Sequence, residues 1–349
     1  MPTEEAIPIC VILPGRMLVD TRNALRSQAP SLDIHYIDYI DPPAVRQARR
    51  RGELTPALAA QCPVLSEQDA QALARAEVAI ARDLPLDLGR RAPNLRWVQA
   101  IGAGIEQLDP PGLSALNIVL TNASGVAAAP ISEFVFAQLL SIWKNLRHFD
   151  QLQRDKIWRR EQTTLVAGKT LGVVGLGAIG RATAVRARAF GMRVLATSRR
   201  AEEGACDPDV DGLFPLQELN AMLSHSDAVL ASMPATPDTE RYFNRARFAA
   251  FKEGAIFCNI SRGAIVDEDA LIVALDNGRP GWAVLDVTAV EPNPPESPLW
   301  THPRVLLSPH SSTSMDGYAE RIVALFIGNL NRWVAREHLY NIVDPRLGY

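Results

Sequence analysis

Gly175-Leu176-Gly177-Ala178-Ile179-Gly180 stands in the middle of a 349-residue chain, directly after the apolar run Leu171-Gly172-Val173-Val174. A bare G-x-G-x-x-G arises by chance, so its surroundings decide its meaning. Val173 and Val174 have the character of a buried parallel strand, and Arg181 through Phe190 is a glycine-free, Ala- and Arg-rich run with high helix propensity. Gly191 offers a C-terminal cap, and Met192 through Thr197 reads as the next strand. In such a strand, helix, strand unit Gly175 allows the tight turn, Gly177 lets the backbone approach a pyrophosphate, and Gly180 lets helix and strand pack closely. The phosphates would lie over Ala178 and Ile179 at the helix N-terminus, where free N–H groups and the dipole favour an anion. Half the chain precedes this motif, so the first half is a separate module set beside a dinucleotide-binding one.

The end of the second strand bears on the choice of cofactor. An NAD site usually places Asp or Glu there, about 20 residues past the motif, to hold the ribose hydroxyls. This chain has Ser198-Arg199-Arg200. No carboxylate stands there to repel a 2′-phosphate, and two guanidinium groups can pair with one through charge-assisted bonds. NADP(H) is the expected cofactor, with NAD(H) possible.

Composition narrows the partners. The length suffices for two domains, each with its own core, and a formal net charge of −3 supplies no basic field for nucleic acid. Cys10, Cys62, Cys206 and Cys258 form neither C-x-x-C pairs nor a metal-ligand pattern and read as reduced thiols, so no metal is expected. Met1-Pro2-Thr3-Glu4-Glu5 is wrong for a signal peptide, and no apolar run approaches membrane-spanning length. A cytoplasmic protein acting on a small molecule is expected.

Residues 7–122 alternate strand and helix, with strand candidates at Ile7–Leu13, Ile34–Ile37, Glu77–Ala81, Leu95–Ile101 and Ile118–Leu120, and a helix at Ser66–Arg75. Pro130 opens a long helical pattern running toward Trp143 and Leu146. The alternation resumes from Gly168 to about Ser308, and Ser314 to Arg336 reads as one amphipathic helix.

Three strand ends in the second half carry the chemistry. Ala255–Ile260 delivers Ser261-Arg262-Gly263, Ala283-Val284-Leu285 delivers Asp286 with Glu291 a loop later, and Val305-Leu306-Leu307 delivers Ser308-Pro309-His310. Ligands bind at the carboxyl ends of strands in open α/β sheets. A cation, an acid and a histidine on successive strand ends can hold a carboxylate and move a proton. Asp267, ahead of Glu268-Asp269-Ala270-Leu271, reads as a helix N-cap, and His302 as structural.

Thr121-Asn122-Ala123-Ser124-Gly125, the glycine motif, Asn259-Ile260-Ser261-Arg262-Gly263, Leu285-Asp286-Val287 with Glu291-Pro292, Ser297-Pro298-Leu299-Trp300 and Ser308-Pro309-His310 together resemble the D-isomer-specific 2-hydroxyacid dehydrogenases. Ser198-Arg199-Arg200 places the resemblance nearest the NADP-using glyoxylate/hydroxypyruvate reductases. The resemblance implies an α/β fold of two Rossmann-like, doubly wound parallel-sheet domains with a cleft between. A flavodoxin-like substrate domain would comprise 1–122 and 314–349, and an NAD(P)-binding domain 123–313. It also implies a homodimer held through the cofactor domains, with the Pro130–Leu146 helix in the contact.

The implied reaction reduces a small 2-keto acid to the D-2-hydroxy acid, reversibly. His310 suits the proton donor, because an imidazole titrates near working pH, and Glu291 would fix its ring and favour its charged form. Arg262 would bind the substrate carboxylate and carbonyl oxygen. The resemblance adds backbone amides of Ala103 and Gly104 as a second carboxylate clamp, and Asp286 as acceptor for the nicotinamide carboxamide. It adds Met233, Pro234, Thr239, Ile260, Ser261 and Ser312 to the cofactor groove. Ser311-Ser312-Thr313 departs from the small apolar residues and Gly of many relatives, so the pocket floor differs. No added regulatory domain of the kind found in some phosphoglycerate dehydrogenases is expected. Alternatives are a bulkier 2-keto acid, 3-phosphoglycerate, formate or phosphite as substrate, or a nucleotide-sensing corepressor-like role.

Overall fold

The structure, a computed structural model, describes residues 7–344 apart from 109, 200 and 203. The chain divides into two compact units, Met1–Val126 with Asp316–Tyr349, and Ala127–Met315.

The first unit is built on β1 (Ile9–Leu13), β2 (Ile34–Asp38), β3 (Val78–Ala81), β4 (Trp97–Ala100) and β5 (Val119–Thr121). They form one parallel sheet in the order β2-β1-β3-β4-β5. Every residue of β1, β3 and β4 is buried, as expected of parallel strands covered on both faces. Alternate residues feed two cores. Ile12, Ile37, Leu73 and Val98 share one, and Val11, Ile80 and Trp97 share the other with Val323 and Phe326 of helix Tyr318–Val334. Trp97 stacks on Phe326 and Trp333 of the late segment, with ring centroids 5.4 and 5.7 Å apart. A buried polar chain reinforces the joint. Asn329 Nδ2 donates to Gln99 Oε1 at 3.1 Å, Thr121 Oγ1 donates to the same oxygen at 2.9 Å, and Trp97 Nε1 donates to Thr121 Oγ1 at 2.9 Å.

The second unit carries β6 (Thr170–Val174), β7 (Arg193–Thr197), β8 (Gly212–Phe214), β9 (Ala228–Ala231), β10 (Ile256–Asn259), β11 (Trp282–Leu285) and β12 (Val305–Leu307). All run parallel in the order β12-β11-β10-β9-β6-β7-β8. The strand order reverses between β6 and β9, the place where such sheets bind dinucleotides. Helix Ala178–Ala189 comes after β6 and ends in a Schellman arrangement: Gly191 has φ +71°, Met192 N donates to Ala187 O and Gly191 N to Arg188 O.

The elements depart from their sequence pattern at the ends. The helix expected from Pro130 begins at Ala128, because a proline within the first turn lacks no N–H that the helix would use. Its run toward Leu146 is broken at Asn145, which has φ +53° and precedes a separate helix, Leu146–Arg154. The final helix is likewise shorter than Ser314–Arg336, starting after Gly317 in the left-handed region. Among the described residues, no helix is long and apolar enough to cross a membrane.

Candidate active site

The glycine turn after β6 has the geometry of an anion cradle. Gly175 has φ +100°, and a Cβ there would fall 2.9 Å from the Ser232 carbonyl oxygen, so only glycine lets this turn lie against the end of β9. A Cβ on Gly180 would fall 2.5 Å from the Gly175 carbonyl oxygen. Gly177 differs: a Cβ there would meet nothing within 4 Å, and as the N-cap it supplies no side-chain bond to the helix amides. The exposed N-terminal residues Gly177 and Ala178, with Ile179 half-buried behind them, therefore present backbone to open space, which fits a pyrophosphate.

At the end of β9, Met233 is buried, and Pro234 is exposed. Thr239 Oγ1 donates to Pro234 O at 2.9 Å and accepts from Thr236 N at 2.7 Å, so its hydroxyl braces this turn from within. After β7, Ser198 is half-buried and Arg199 exposed; Arg200 lies outside the described residues. The segment beyond them carries Asp207 and Asp209, and Arg181 binds both, with Nη2 2.7 Å from Asp207 Oδ2. One guanidinium thereby offsets part of the charge of two carboxylates, a pairing that spacing alone does not disclose.

The three strand ends of β10, β11 and β12 are organised by two buried polar side chains. Asn259, fully buried, donates through Nδ2 to Arg262 O at 2.9 Å and accepts through Oδ1 from Ser261 N and Oγ. This fixes the turn after β10, with Ile260 buried and the Arg262 Nη1 donating to Ser261 O at 2.7 Å. Asp286, at 1 % exposure, accepts from Ser308 Oγ at 2.6 Å, Ser311 N at 2.9 Å and Ser312 N at 3.0 Å, and its carbonyl accepts from His310 N at 2.8 Å. Both oxygens of the carboxylate expected to meet a carboxamide are thus engaged in holding the histidine turn. Ser312 Oγ is buried and has no hydrogen-bond partner among the described residues, a polar atom that a bound carboxamide would satisfy.

His310 itself has φ +51°, a left-handed conformation uncommon outside glycine and held here by its N–H, which donates to Asp286 O and Ser308 O. Its ring Nδ1 lies 2.9 Å from Glu291 Oε2, with both side chains substantially exposed at 43 % and 36 %. Burial pushes the Glu291 carboxyl upward, but the hydrogen bond to His310, the charge of that ring and the Arg262 guanidinium outweigh it, and its pKa falls below the ordinary value. Sequence reasoning misses Asn259, whose side chain does the organising, and Gly263. A Cβ at Gly263 would stand 1.9 Å from the Thr288 carbonyl carbon, so the Arg262 turn and the Glu291 loop touch backbone to backbone. The only sequence signal for this is a glycine directly after the arginine.

In the first unit, Gly102-Ala103-Gly104 forms a turn after β4 in which Ala103 is exposed. It is braced by Asn122 Nδ2 to Ala103 O at 3.3 Å and Ala123 N to Gly102 O at 3.0 Å.

A pyrophosphate cradle, a cation and an acid-paired histidine on one sheet edge suit redox chemistry on a small acid. Residues 136–312 match the family model for the NAD binding domain of D-isomer specific 2-hydroxyacid dehydrogenases. The chain belongs to that family. The D-2-hydroxyacid dehydrogenase is 32% identical over 295 residues to glyoxylate/hydroxypyruvate reductase B of Klebsiella pneumoniae, covering 82% of this chain and 90% of the relative. It is 33% identical over 263 residues to glyoxylate reductase of Korarchaeum cryptofilum, covering 73% and 78%. Among solved structures, it is similar to a D-isomer specific 2-hydroxyacid dehydrogenase of Xanthobacter autotrophicus in complex with NADPH and MES. That match has a TM-score of 0.78 and 28% identity and covers 97% of this chain and 99% of the other. An NADPH-dependent glyoxylate/hydroxypyruvate reductase of Sinorhizobium meliloti, in complex with NADP and sulfate, gives a TM-score of 0.77 at 26% identity over 98% and 100%.

Proposed function

We propose that this dehydrogenase reduces a small 2-keto acid of the glyoxylate or hydroxypyruvate type to the D-2-hydroxy acid, with NADPH preferred and NADH accepted. The carrying observation is the His310–Glu291 pair at 2.9 Å, held by β11 and β12 beside the Arg262 turn of β10. The bound nicotinamide supplies the hydride for the carbonyl carbon. His310 delivers the proton to the carbonyl oxygen, and Glu291, ionised across the neutral range, holds the ring and compensates its charge. Arg262 binds the substrate carboxylate and stabilises negative charge growing on the oxygen. The amides of Ala103 and Gly104 are proposed as donors to the same class of anion.

NADPH preference rests on Ser198 and Arg199 at the end of β7, and on Arg181 drawing Asp207 and Asp209 of the segment beyond into its own ion pairs. The NADPH and NADP complexes of two structural relatives favour the same reading. The unit 127–315 is proposed as the cofactor domain and the other as the substrate domain. A homodimer is also proposed. Helix Ala128–Trp143, placed in its contact, spends Ile131, Val135, Phe136, Leu139 and Trp143 inside its own unit and offers the half-buried Phe134, Leu140 and Ile142 to a second copy, beside the exposed Ile157, Trp158 and Leu165.

A panel of glyoxylate, hydroxypyruvate, pyruvate, phenylpyruvate, 2-ketoisocaproate and 3-phosphohydroxypyruvate, each with NADPH and NADH, tests the reading. Highest kcat/KM is expected for glyoxylate or hydroxypyruvate with NADPH. No reduction of any member would overturn the reductase reading, and preference for a bulky acid would replace the substrate.

A further inference from the structure

Glu291 sits on an irregular loop, yet its carboxylate must meet His310 on a different strand end. The side chain of Thr288 closes the loop on itself by donating to Val290 O at 2.8 Å, and Thr288 N donates to Glu291 Oε1 at 3.3 Å. Between them, Ala289 is exposed, and its N–H points away from the loop to Glu268 Oε1 at 2.7 Å. Glu268 opens helix Glu268–Asp276, whose N-cap Asp267 accepts from Ala270 N at 3.1 Å and pairs with Arg241 at 2.7 Å. That helix N-terminus is therefore fixed by its own contacts. It also lies five residues after Gly263, the position with no room for a Cβ against Thr288. The chain from Arg262 to Glu268 thus grips the 288–291 loop twice, once by backbone contact at Gly263 and once by the Glu268 carboxylate.

We propose that Glu268 is a positioning residue for the Glu291–His310 pair, fixing the Glu291 loop through the Ala289 amide. This deepens, and rests on, the reading of His310 as the proton donor. Glu268 touches no reacting group; its effect passes through one hydrogen bond to the loop backbone. Asp269 beside it is the charge that acts on Glu268, and the Asp267–Arg241 pair caps the same helix. The Ala289 N–H requires an acceptor there and not a charge, so a neutral amide oxygen can replace the carboxylate.

The test compares Glu268→Ala and Glu268→Gln in the full-length protein, with NADPH and glyoxylate or hydroxypyruvate. Glu268→Ala is expected to lower kcat roughly 10- to 100-fold, as loosened catalytic groups do, with KM for NADPH changed less than about twofold. Its pH profile for reduction should move to lower pH, in the same direction as Glu291→Gln, and Glu268→Gln should restore most of kcat and the profile. In a Glu291→Gln background, Glu268→Ala should add little, since the group it positions is already altered. Titration of the His310 ring by NMR needs no substrate, and should shift to lower pH in Glu268→Ala but not in Glu268→Gln. An unmoved His310 titration, or losses that multiply in the Glu291→Gln background, would overturn the proposal. A wild-type protein that reduces no keto acid would overturn the reaction reading and leave the titration as the deciding result. If Glu268→Ala does not fold, Glu268→Asp, which shortens the reach to Ala289, takes its place with the same expectations.

Discussion

Glu291 Oε2 and His310 Nδ1 stand 2.9 Å apart, joined across 19 residues of chain, while the other Glu291 oxygen accepts from Thr288 N. A carboxylate held on both oxygens fixes one edge of the imidazole ring, and the other nitrogen is the one proposed to meet the substrate.

Replacing Glu291 by Gln tests that pairing through pH. The Glu291 carboxyl has a lowered pKa, so at neutral pH it is an anion that attracts the charged ring. Without it the ring gives up its proton at lower pH, and reduction, which consumes that proton, should lose rate at lower pH than in the wild type. The pH dependence of kcat/KM for the keto acid checks this; a profile that does not move would refute the pairing.

Arg262→Ala and His310→Ala remove the groups proposed to bind the substrate anion and to donate the proton. Losses of roughly 10²- to 10³-fold for the arginine and 10²- to 10⁴-fold for the histidine are expected in kcat/KM for reduction. The arginine variant should also raise KM for the keto acid, and NADPH affinity measured by fluorescence should stay near wild type in both.

Ser198→Asp combined with Arg199→Ala places a carboxylate where a 2′-phosphate is proposed to lie and removes a cation. A charge-assisted bond contributes about 1.5–3 kcal/mol, so the ratio of kcat/KM for NADPH over NADH should fall roughly 10- to 150-fold. An unchanged ratio would sink the NADPH assignment.

Asn329→Leu probes the joint between the late helix and the first sheet. Its amide bonds Gln99 Oε1 and both backbone groups of Tyr340, and all of these partners would be left short. Destabilisation of about 1–3 kcal/mol is expected in urea unfolding, with the Glu291–His310 pH profile unaltered.

Much of this is readable in the chain because the decisive residues sit at fixed places in a repeating unit. Apolar runs such as Val173-Val174 and Cys258 with its neighbours become buried strands, and the residues just past a parallel strand lie at the sheet's carboxyl edge. Arg262, Asp286 and His310 come directly after strands or their turns, so their shared edge can be inferred without coordinates. Glu291 is legible through its motif, but its anchors are not. The contact of Ala289 with Glu268, and the closeness of Gly263 to Thr288, arise between two loops whose paths no periodicity describes. The resemblance implies a nicotinamide carboxamide contact for Asp286; its hold on the Ser308–Ser312 turn, through Ser308 Oγ and the Ser311 and Ser312 amides, is not legible from spacing. The apolar pattern overextends strands at Glu77 and Leu95, where the ladder begins only at Val78 and Trp97.

The stacking of Trp97 between rings of the segment 318–334 has a consequence for how the protein is made. A ribosome releases β1, β3 and β4 early, yet the helix that covers Val11, Ile80 and Trp97 emerges only after the whole of 127–315 has been translated. That face of the first sheet therefore has no cover until the last part of the chain is made.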